Sequence, residues 1–252
     1  MSTDNPFDAP DHQEESPAGD FGDREPARLS IGSVLERSWV LVTEQPAAII
    51  LTLLILLGVG IIFAIPGGVI QFFEQQQPDF KSQLPFTATR LGLQLIGGLV
   101  SLFFTLGAIR VFAEIAGGNE GRVSMVFSEG GSYLSAVAAY ILLFFITLIG
   151  FLLFIVPGII LSVGLQFVFY VIVHERRGPI DALARSWELT DGYKMDLFII
   201  SLVLMVGVIA ILCGTCGVGL FVVWPILAVV QAVLYHSLLH LNSDAEALRN
   251  EG

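Results

Sequence analysis

Apolar residues fill long stretches of this chain, and four of the stretches contain no Asp, Glu, Lys or Arg. The charge-free stretches are 45–73, 91–109, 130–174 and 197–243. A membrane-crossing helix needs about 20 apolar residues, because the hydrocarbon core is about 30 Å thick. Each of the first two stretches supplies one crossing. The last two are each about twice as long as one helix needs, so each predicts a hairpin, and the pattern predicts six spans.

Glycine and proline indicate where the long stretches turn, because proline is disfavoured inside a helix. The breakers Gly150 and 156–158 divide the third stretch, and 213–217 divides the fourth. Pro66 predicts that span one kinks or ends there, and the polar segment 75–85 predicts a loop in water. The expected later spans are 133–151, 156–174, 196–212 and 218–240.

The positions of the cations predict the orientation, since Lys and Arg concentrate in cytoplasmic loops. With six spans, ten cations fall on the side that carries both termini, and only Lys81 and Arg90 fall on the other. Both termini are therefore expected in the cytoplasm, with the chain in the cell membrane. The acidic start of the chain also argues against a signal peptide, which would begin with cations.

Composition narrows the class of protein. Apolar residues make up 54% of the 252-residue chain and charged residues 14%, against about 25% charge in soluble domains. The net charge of −11 has the wrong sign for a phosphate backbone, so no nucleic-acid partner is expected. The predicted fold class is therefore all-α, a polytopic integral membrane protein. Its expected domains are an acidic disordered tail at 1–28, a six-helix membrane domain at 29–241 and a C-terminal tail at 242–252.

Two segments 148 positions apart share the tripeptide Arg-Ser-Trp. They are 35–41 and 183–189, and a weaker third copy lies at 123–127. Each precedes an odd-numbered span and has apolar residues at helical spacing, which predicts a short amphipathic helix in the head-group region. The chain would then consist of three parallel pseudo-repeats, each an interfacial helix followed by two spans. The predicted lipid-interface residues are Arg37, Trp39, Arg185 and Trp187.

Part of the sequence resembles a known membrane domain. The resemblance is carried by a segment that follows 156–158 and a span with Tyr170 and His174. Its matching positions are Pro179, 182–183, 185–187, 189–190 and Gly192. The chain resembles the multi-pass membrane domain joined to some glycerophosphoryl diester phosphodiesterases, and its stand-alone relatives, over about residues 30–240. In the fused relatives a separate soluble barrel performs the hydrolysis. The resemblance therefore implies a membrane module without the hydrolase, and no catalytic residue carries over.

Polar residues at membrane depth are the best indicators of function in such a chain. Gln166 and Tyr170, and likewise Gln231 and Tyr235, are four apart and share a helical face. Gln94 in span two is the candidate third member. Such a face either lines a path for a solute or joins helices by hydrogen bonds. Arg110 and Glu114, also four apart, pair with each other or extend to the membrane surface.

No catalytic, metal or cofactor site is predicted from the motifs. Cys213 and Cys216 form a single CxxC without zinc partners or a thioredoxin-like context, so they are either small turn residues or a disulfide. The favoured function is a non-catalytic membrane module, not an enzyme, that organises membrane lipids or a membrane-protein partner. The alternative is a transporter or channel for a small or lipid-like solute through a Gln/Tyr-lined path.

Overall fold

The charge-free stretches of the sequence are helical in the computed structural model, which describes residues 31–77, 79–215 and 219–251. Within these residues the chain forms no β-strand, in agreement with the all-α prediction. Six helical segments are long and apolar enough to cross a membrane, which is the predicted number. They are Pro46–Gln75, Lys81–Ala116, Tyr133–Leu153, Ile155–His174, Lys194–Gly214 and Val223–Ser243.

The α-helices of the described residues are numbered in chain order. They are α1 Ile31–Glu44, α2 Pro46–Gln75, α3 Phe80–Ala116, α4 Tyr133–Leu153, α5 Ile155–Gly164, α6 Val168–His174, α7 Pro179–Leu189, α8 Lys194–Gly214 and α9 Leu220–Glu251. Two 3-10 turns, Val123–Phe127 and Glu129–Gly131, connect α3 to α4. The predicted tail at 1–28 lies outside the described residues.

The first two spans are longer than the sequence predicted. Helix α2 does not end at Pro66 but continues to Gln75. Proline removes one backbone donor only, and a membrane helix tolerates that loss. The expected loop at 75–85 is wrong in its second half, because α3 begins at Phe80 and accepts Pro85 near its start. The backbone N–H groups of Ser82 and Gln83 donate to the carbonyl of Asp79, which starts the helix before the proline.

The six spans fall into an inner and an outer set. In the most apolar window of each span, between 33% and 50% of the residues are buried in spans two, four and six. The corresponding fraction is between 11% and 17% in spans one, three and five. Helices α3, α5, α6 and α9 therefore form the interior, while α2, α4 and α8 turn most of their apolar side chains outward, as lipid-facing helices do.

The protein core lies toward one end of this bundle. Large side chains with no exposure there include Leu106, Phe167, Ile172 and Tyr235. In contrast, none of the described side chains in the range 54–96 is buried, so the far parts of α2 and α3 pack mainly on each other. The end that holds the core also carries Arg110, Glu129 and Arg176, and we call it the charged end.

A glycine in α3 admits the 3-10 turn that follows it. A Cβ at Gly107 would collide with the backbone carbonyl of Val126. Val126 itself is fully buried, so the turn Val123–Phe127 lies directly on the helix at this point. The turn therefore occupies space that any other residue at 107 would fill.

Gly107→Ala should separate the turn from α3 and lower the free energy of unfolding by about 1–3 kcal/mol, the usual cost of overpacking. The thermal midpoint in detergent measures this change. Gly98→Ala is the matched control in the same helix, because a Cβ there meets nothing within 4 Å. Equal midpoints for the two variants would show that the turn does not depend on Gly107.

Candidate functional site: a cavity between the inner spans

The fourth span is a broken helix. Helix α5 ends at Gly164 and α6 begins at Val168, with three residues between them that are not helical. A break at membrane depth leaves carbonyl groups without their helical donors, and such groups need other partners. The carbonyl of Gly164 accepts a hydrogen bond from Ser186 Oγ at 3.0 Å. Thr190 Oγ1 lies 3.2 Å from the same carbonyl and 3.1 Å from the carbonyls of Ser186 and Trp187, among which its single proton is shared. Helix α7 and the residue that follows it thus supply a hydroxyl donor for the carbonyl of Gly164.

The tryptophan of α7 lies on the same glycine. A Cβ at Gly164 would come within 2.6 Å of the Trp187 ring, so the two groups are in close contact. The ammonium of Lys194 lies 4.0 Å from the centre of a Trp187 ring and 2.7 Å from Asp191 Oδ1. The hydrogen bond and charge of Lys194 hold the pKa of the Asp191 carboxyl below its ordinary value. Trp187 therefore contacts Gly164 of the fourth span and Lys194 of α8, and these two contacts hold α7 in place.

A cavity opens beside the break, between α2, α3, α6 and α9. Its volume is about 330 Å³, at the lower end of the roughly 300–1,000 Å³ typical of small-molecule sites. Gln166, Tyr170 and Gln231 all line it, so the structure brings together three of the five predicted polar residues. We call it the Gln–Tyr cavity. Much of its wall is apolar, with Leu53, Leu56, Ile109, Phe112, Phe169 and Trp224.

One amide in this cavity lacks a protein partner. The Nε2 atom of Gln166 is buried, and no hydrogen-bond acceptor lies within reach among the described residues. Leaving a buried donor unpaired costs about 1–3 kcal/mol. Gln166 is one of the three residues of the break, so its side chain does not follow the regular helical spacing that the sequence predicts. An acceptor from outside the protein would satisfy it.

The other two predicted polar residues lie elsewhere. Tyr235 is fully buried and packs against Tyr170 with 5.3 Å between ring centres. Its hydroxyl donates to Glu175 Oε1 at 3.3 Å, so Tyr235 lies behind the cavity rather than in its wall. Gln94 lines a separate groove of about 350 Å³ between α2 and α3, together with Gln71.

A buried carboxylate organises the charged end. Glu129 has no exposed surface, and its oxygens lie 3.2 Å from Arg110 Nη1 and 2.9 Å from Arg176 Nη1. Arg176 also donates to Ser132 Oγ at 2.7 Å. Its backbone has φ of 56°, a left-handed conformation that non-glycine residues rarely adopt. The bonds to Glu129 and Ser132 hold this turn between α6 and α7.

A second, smaller cavity lies at the charged end. Its volume is about 140 Å³, and it is lined by Arg110, Ala113, Glu114, Val173 and His174. The predicted pair of Arg110 and Glu114 is present, with 3.7 Å between Nε and Oε1. Glu114 also accepts a hydrogen bond from Asn119 Nδ2 at 3.0 Å. We call this space the charged cavity.

Comparison with known proteins places the chain in a family. A family model described as a domain of unknown function, DUF7847, matches residues 111–243, which is more than half of the chain. The chain belongs to the DUF7847 family. It is also similar to the UPF0259 membrane protein plu2479 of Photorhabdus laumondii subsp. laumondii, with 28% identity over 125 residues. That alignment covers 48% of this chain and 47% of the relative, so the chain spans about half the length of the curated relative it matches.

No solved structure matches the chain. The relative's name and the six apolar helices together identify this DUF7847 protein as an integral membrane protein of unknown function. The comparisons support a membrane family of unknown function and not the glycerophosphoryl diester phosphodiesterase type that the sequence resembled. The matched region contains the helix break, Gln166, Tyr170 and Gln231, while Gln94 lies before it.

The predicted lipid-interface residues of this DUF7847 protein have different surroundings. Trp39 is 55% exposed, and Arg37 Nη2 lies 3.5 Å from the carbonyl of Ala116. Arg185 pairs with Glu175 at 3.6 Å and with Glu188 at 3.7 Å, whereas Trp187 lies on Gly164. The two Arg-Ser-Trp copies are therefore not equivalent, and a lipid contact for these four residues stays a prediction. Cys213 is exposed, and Cys216 lies outside the described residues.

Three contacts were not predicted from the sequence: Glu129 was not identified as a candidate, and Ser186 and Thr190 were named only among the residues that carry the resemblance. Glu129 lies one residue before a 45-residue charge-free stretch, and an acid at that position was a detectable sign of a charge that the fold must pair. Ser186 is part of the Arg-Ser-Trp repeat, but its counterpart Ser38 bonds the carbonyl of Val34 within its own helix. Repetition alone therefore did not indicate the contact with Gly164.

Ser186→Ala combined with Thr190→Val should leave the Gly164 carbonyl unpaired and lower the free energy of unfolding by about 1–3 kcal/mol. The thermal midpoint in detergent measures the loss. The control is Thr89→Val, because Thr89 is exposed and bonds only the Pro85 carbonyl of its own helix. An unchanged midpoint in the double variant would contradict the role of α7 in supporting the break.

Glu129→Gln should destabilise the charged end, because it removes the charge that Arg110 and Arg176 share. The two arginine side chains are 33% and 47% exposed, so water screens part of the loss. We expect about 1–3 kcal/mol, below the roughly 3–5 kcal/mol of fully buried pairs. Chemical unfolding in mixed micelles measures it against Glu120→Gln, an exposed carboxylate. Equal stability of the two variants would contradict the importance of Glu129.

Proposed function

We propose that this protein is a non-catalytic membrane module that binds a membrane lipid, or a similar amphiphile, in the Gln–Tyr cavity. The observation that carries the proposal is the buried, unpartnered amide of Gln166 in a largely apolar wall. A lipid has both kinds of group that fit this wall, apolar chains and hydrogen-bond acceptors. Its chains cover the apolar side chains, and its ester or amide oxygens accept from the glutamine.

The depth of the cavity supports a lipid occupant. Gln231 lies eight residues after Val223, where the last span begins, and Gln166 lies eight residues before His174, where the fourth span ends. At about 1.5 Å per helical residue, Gln231 is about 12 Å from that end of its segment, inside a core of about 30 Å, and Gln166 lines the same cavity. The lipid chains of the bilayer are the most abundant molecules at that depth.

The finer architecture forms part of the proposal. The alternation of outer and inner spans along the chain supports three units of two spans each, related by an axis along the membrane normal. Helices α1 and α7 are short, and each buries some of its apolar residues, such as Val34 and Leu189. The excess of cations at the charged end supports a cytoplasmic location for that end. In this arrangement α1 and α7 lie at the inner membrane surface.

One observation favours the second candidate, a transporter for a lipid-like solute. Transporters commonly form their substrate sites at broken helices near the bilayer midplane. The break between α5 and α6 contains Gln166, which lines the Gln–Tyr cavity. A transporter would have to open the same cavity alternately to both faces, whereas a lipid-binding module holds its occupant from one side.

Filling the cavity should remove the bound lipid without unfolding the protein. Ala228 lines the Gln–Tyr cavity, and Ala228→Trp would occupy much of it. We expect the phospholipid retained after detergent exchange, measured by native mass spectrometry, to fall at least fivefold. The control is Leu152→Trp, a side chain that is 83% exposed on α4. Equal retention by the two variants would contradict the proposal.

Gln166→Leu separates a ligand-binding amide from one that joins helices. Because Gln166 Nε2 has no partner among the described residues, the lipid-free variant should be as stable as the wild type or more stable. Its lipid retention should nevertheless fall. A lower thermal midpoint with unchanged retention would identify the amide as a helix–helix contact. Loss of solute flux in proteoliposomes, with retention unchanged, would instead support the transporter.

A further inference from the structure

The charged cavity and the Gln–Tyr cavity are stacked along the same two helices. Ala113 of the charged cavity lies four residues after Ile109 of the Gln–Tyr cavity on α3. On α6 the same relation joins Phe169 to Val173, and Tyr170 to His174. Residues four apart share a helical face, and four residues advance by about 6 Å. A largely apolar space is thus followed, one turn toward the charged end, by a polar one.

The formal charges around the smaller cavity balance. Arg110 and Glu114 line it, while Glu129 and Arg176 lie directly behind Arg110 in the same ion-pair network. The lining therefore holds one guanidinium and one carboxylate, and the pair of Glu129 and Arg176 adds no net charge. The described ion pairs of Arg110 use Nε and Nη1, and a guanidinium has five N–H donors, so Nη2 can donate to a further oxygen. Glu114 is bound by Asn119 and by Arg110 at 3.7 Å, which leaves it able to accept more.

We infer that the charged cavity takes the head group of a zwitterionic phospholipid that carries a primary amine, while the lipid's chains enter the Gln–Tyr cavity. This inference rests on the proposed function and names its ligand class. The phosphate lies at Arg110, and the ammonium donates to the carboxylate of Glu114. Both contacts are charge-assisted hydrogen bonds, which are about twice as strong as neutral ones.

The charge balance disfavours an anionic head group. A purely anionic lipid would bring an uncompensated negative charge next to Glu114 and Glu129, which is unfavourable at low dielectric. The charged cavity also favours a primary ammonium over a quaternary one. A primary ammonium has three N–H donors, while a quaternary ammonium has none and is usually held by several aromatic faces. His174 is the only aromatic ring among the lining residues of the charged cavity, and its volume of about 140 Å³ suits the smaller group.

The test is a competition among lipids that differ only in the head group. The full-length protein is delipidated in detergent and incubated with equal amounts of phosphatidylethanolamine, phosphatidylcholine and phosphatidylglycerol with matched acyl chains. Native mass spectrometry then counts each retained lipid. We expect the wild type to retain ethanolamine lipid at least fivefold over either of the others. Glu114→Gln should reduce the preference over phosphatidylglycerol about tenfold, which is the loss of one charge-assisted contact.

Glu120→Gln is the matched control, because Glu120 is exposed and only six residues from Glu114. It should keep the wild-type preference. Equal retention of the three lipids by the wild type would overturn the inference, and so would an unchanged preference in Glu114→Gln. Either result would leave the proposed function standing, provided that Ala228→Trp still lowers total retention. If the wild type retained no phospholipid at all, the proposed function itself would fail.

Discussion

Hydrocarbon offers no hydrogen-bond partner to a backbone amide or carbonyl, and this constraint shapes the whole molecule. It makes the charge-free stretches helical, because a helix satisfies its backbone internally. It also decides what happens where a helix breaks. Between Gly164 and Val168 the fourth span loses its regular bonding, and the hydroxyl of Ser186 on α7 donates to the carbonyl of Gly164. The short helix outside the spans is therefore a structural requirement of the span that it contacts.

The break and the charged end together create the site. The break turns Gln166 toward the space between α3 and α9, where its amide nitrogen is buried without a protein partner. The pairing of Glu129 with Arg110 and Arg176 fixes α3, the turn before α4 and the end of α6 relative to one another. Since α3 and α6 also carry the walls of both cavities, the ion pairs set the distance between those walls. Structure and proposed ligand binding thus depend on the same few contacts.

Much of the fold follows from the sequence, because the cost of exposing charge in lipid is large and the charge-free stretches are easily located. The sequence also predicted the grouping of Gln166 with Tyr170, but from the spacing of a regular helix, which the break removes at Gln166. The position of Gln94 in a separate groove could not be predicted. The sequence does not determine how span two is rotated about its helix axis, and therefore which neighbour Gln94 faces. The contact between Trp187 and Gly164 depends on a helix break that local periodicity does not indicate. The ion pairs of Glu129 could not be predicted either, because its partners Arg110 and Arg176 are distant in the sequence and meet it only in the folded chain.

The central claim is that a lipid occupies the space between the inner spans, with its head group at the charged end. An electron cryomicroscopy structure of the protein in lipid nanodiscs would test this most directly. We expect elongated density in the Gln–Tyr cavity that contacts Gln166 and ends in a head group between Arg110 and Glu114. A cavity filled with water and open to both membrane faces, or one closed by inward movement of α2, would contradict it.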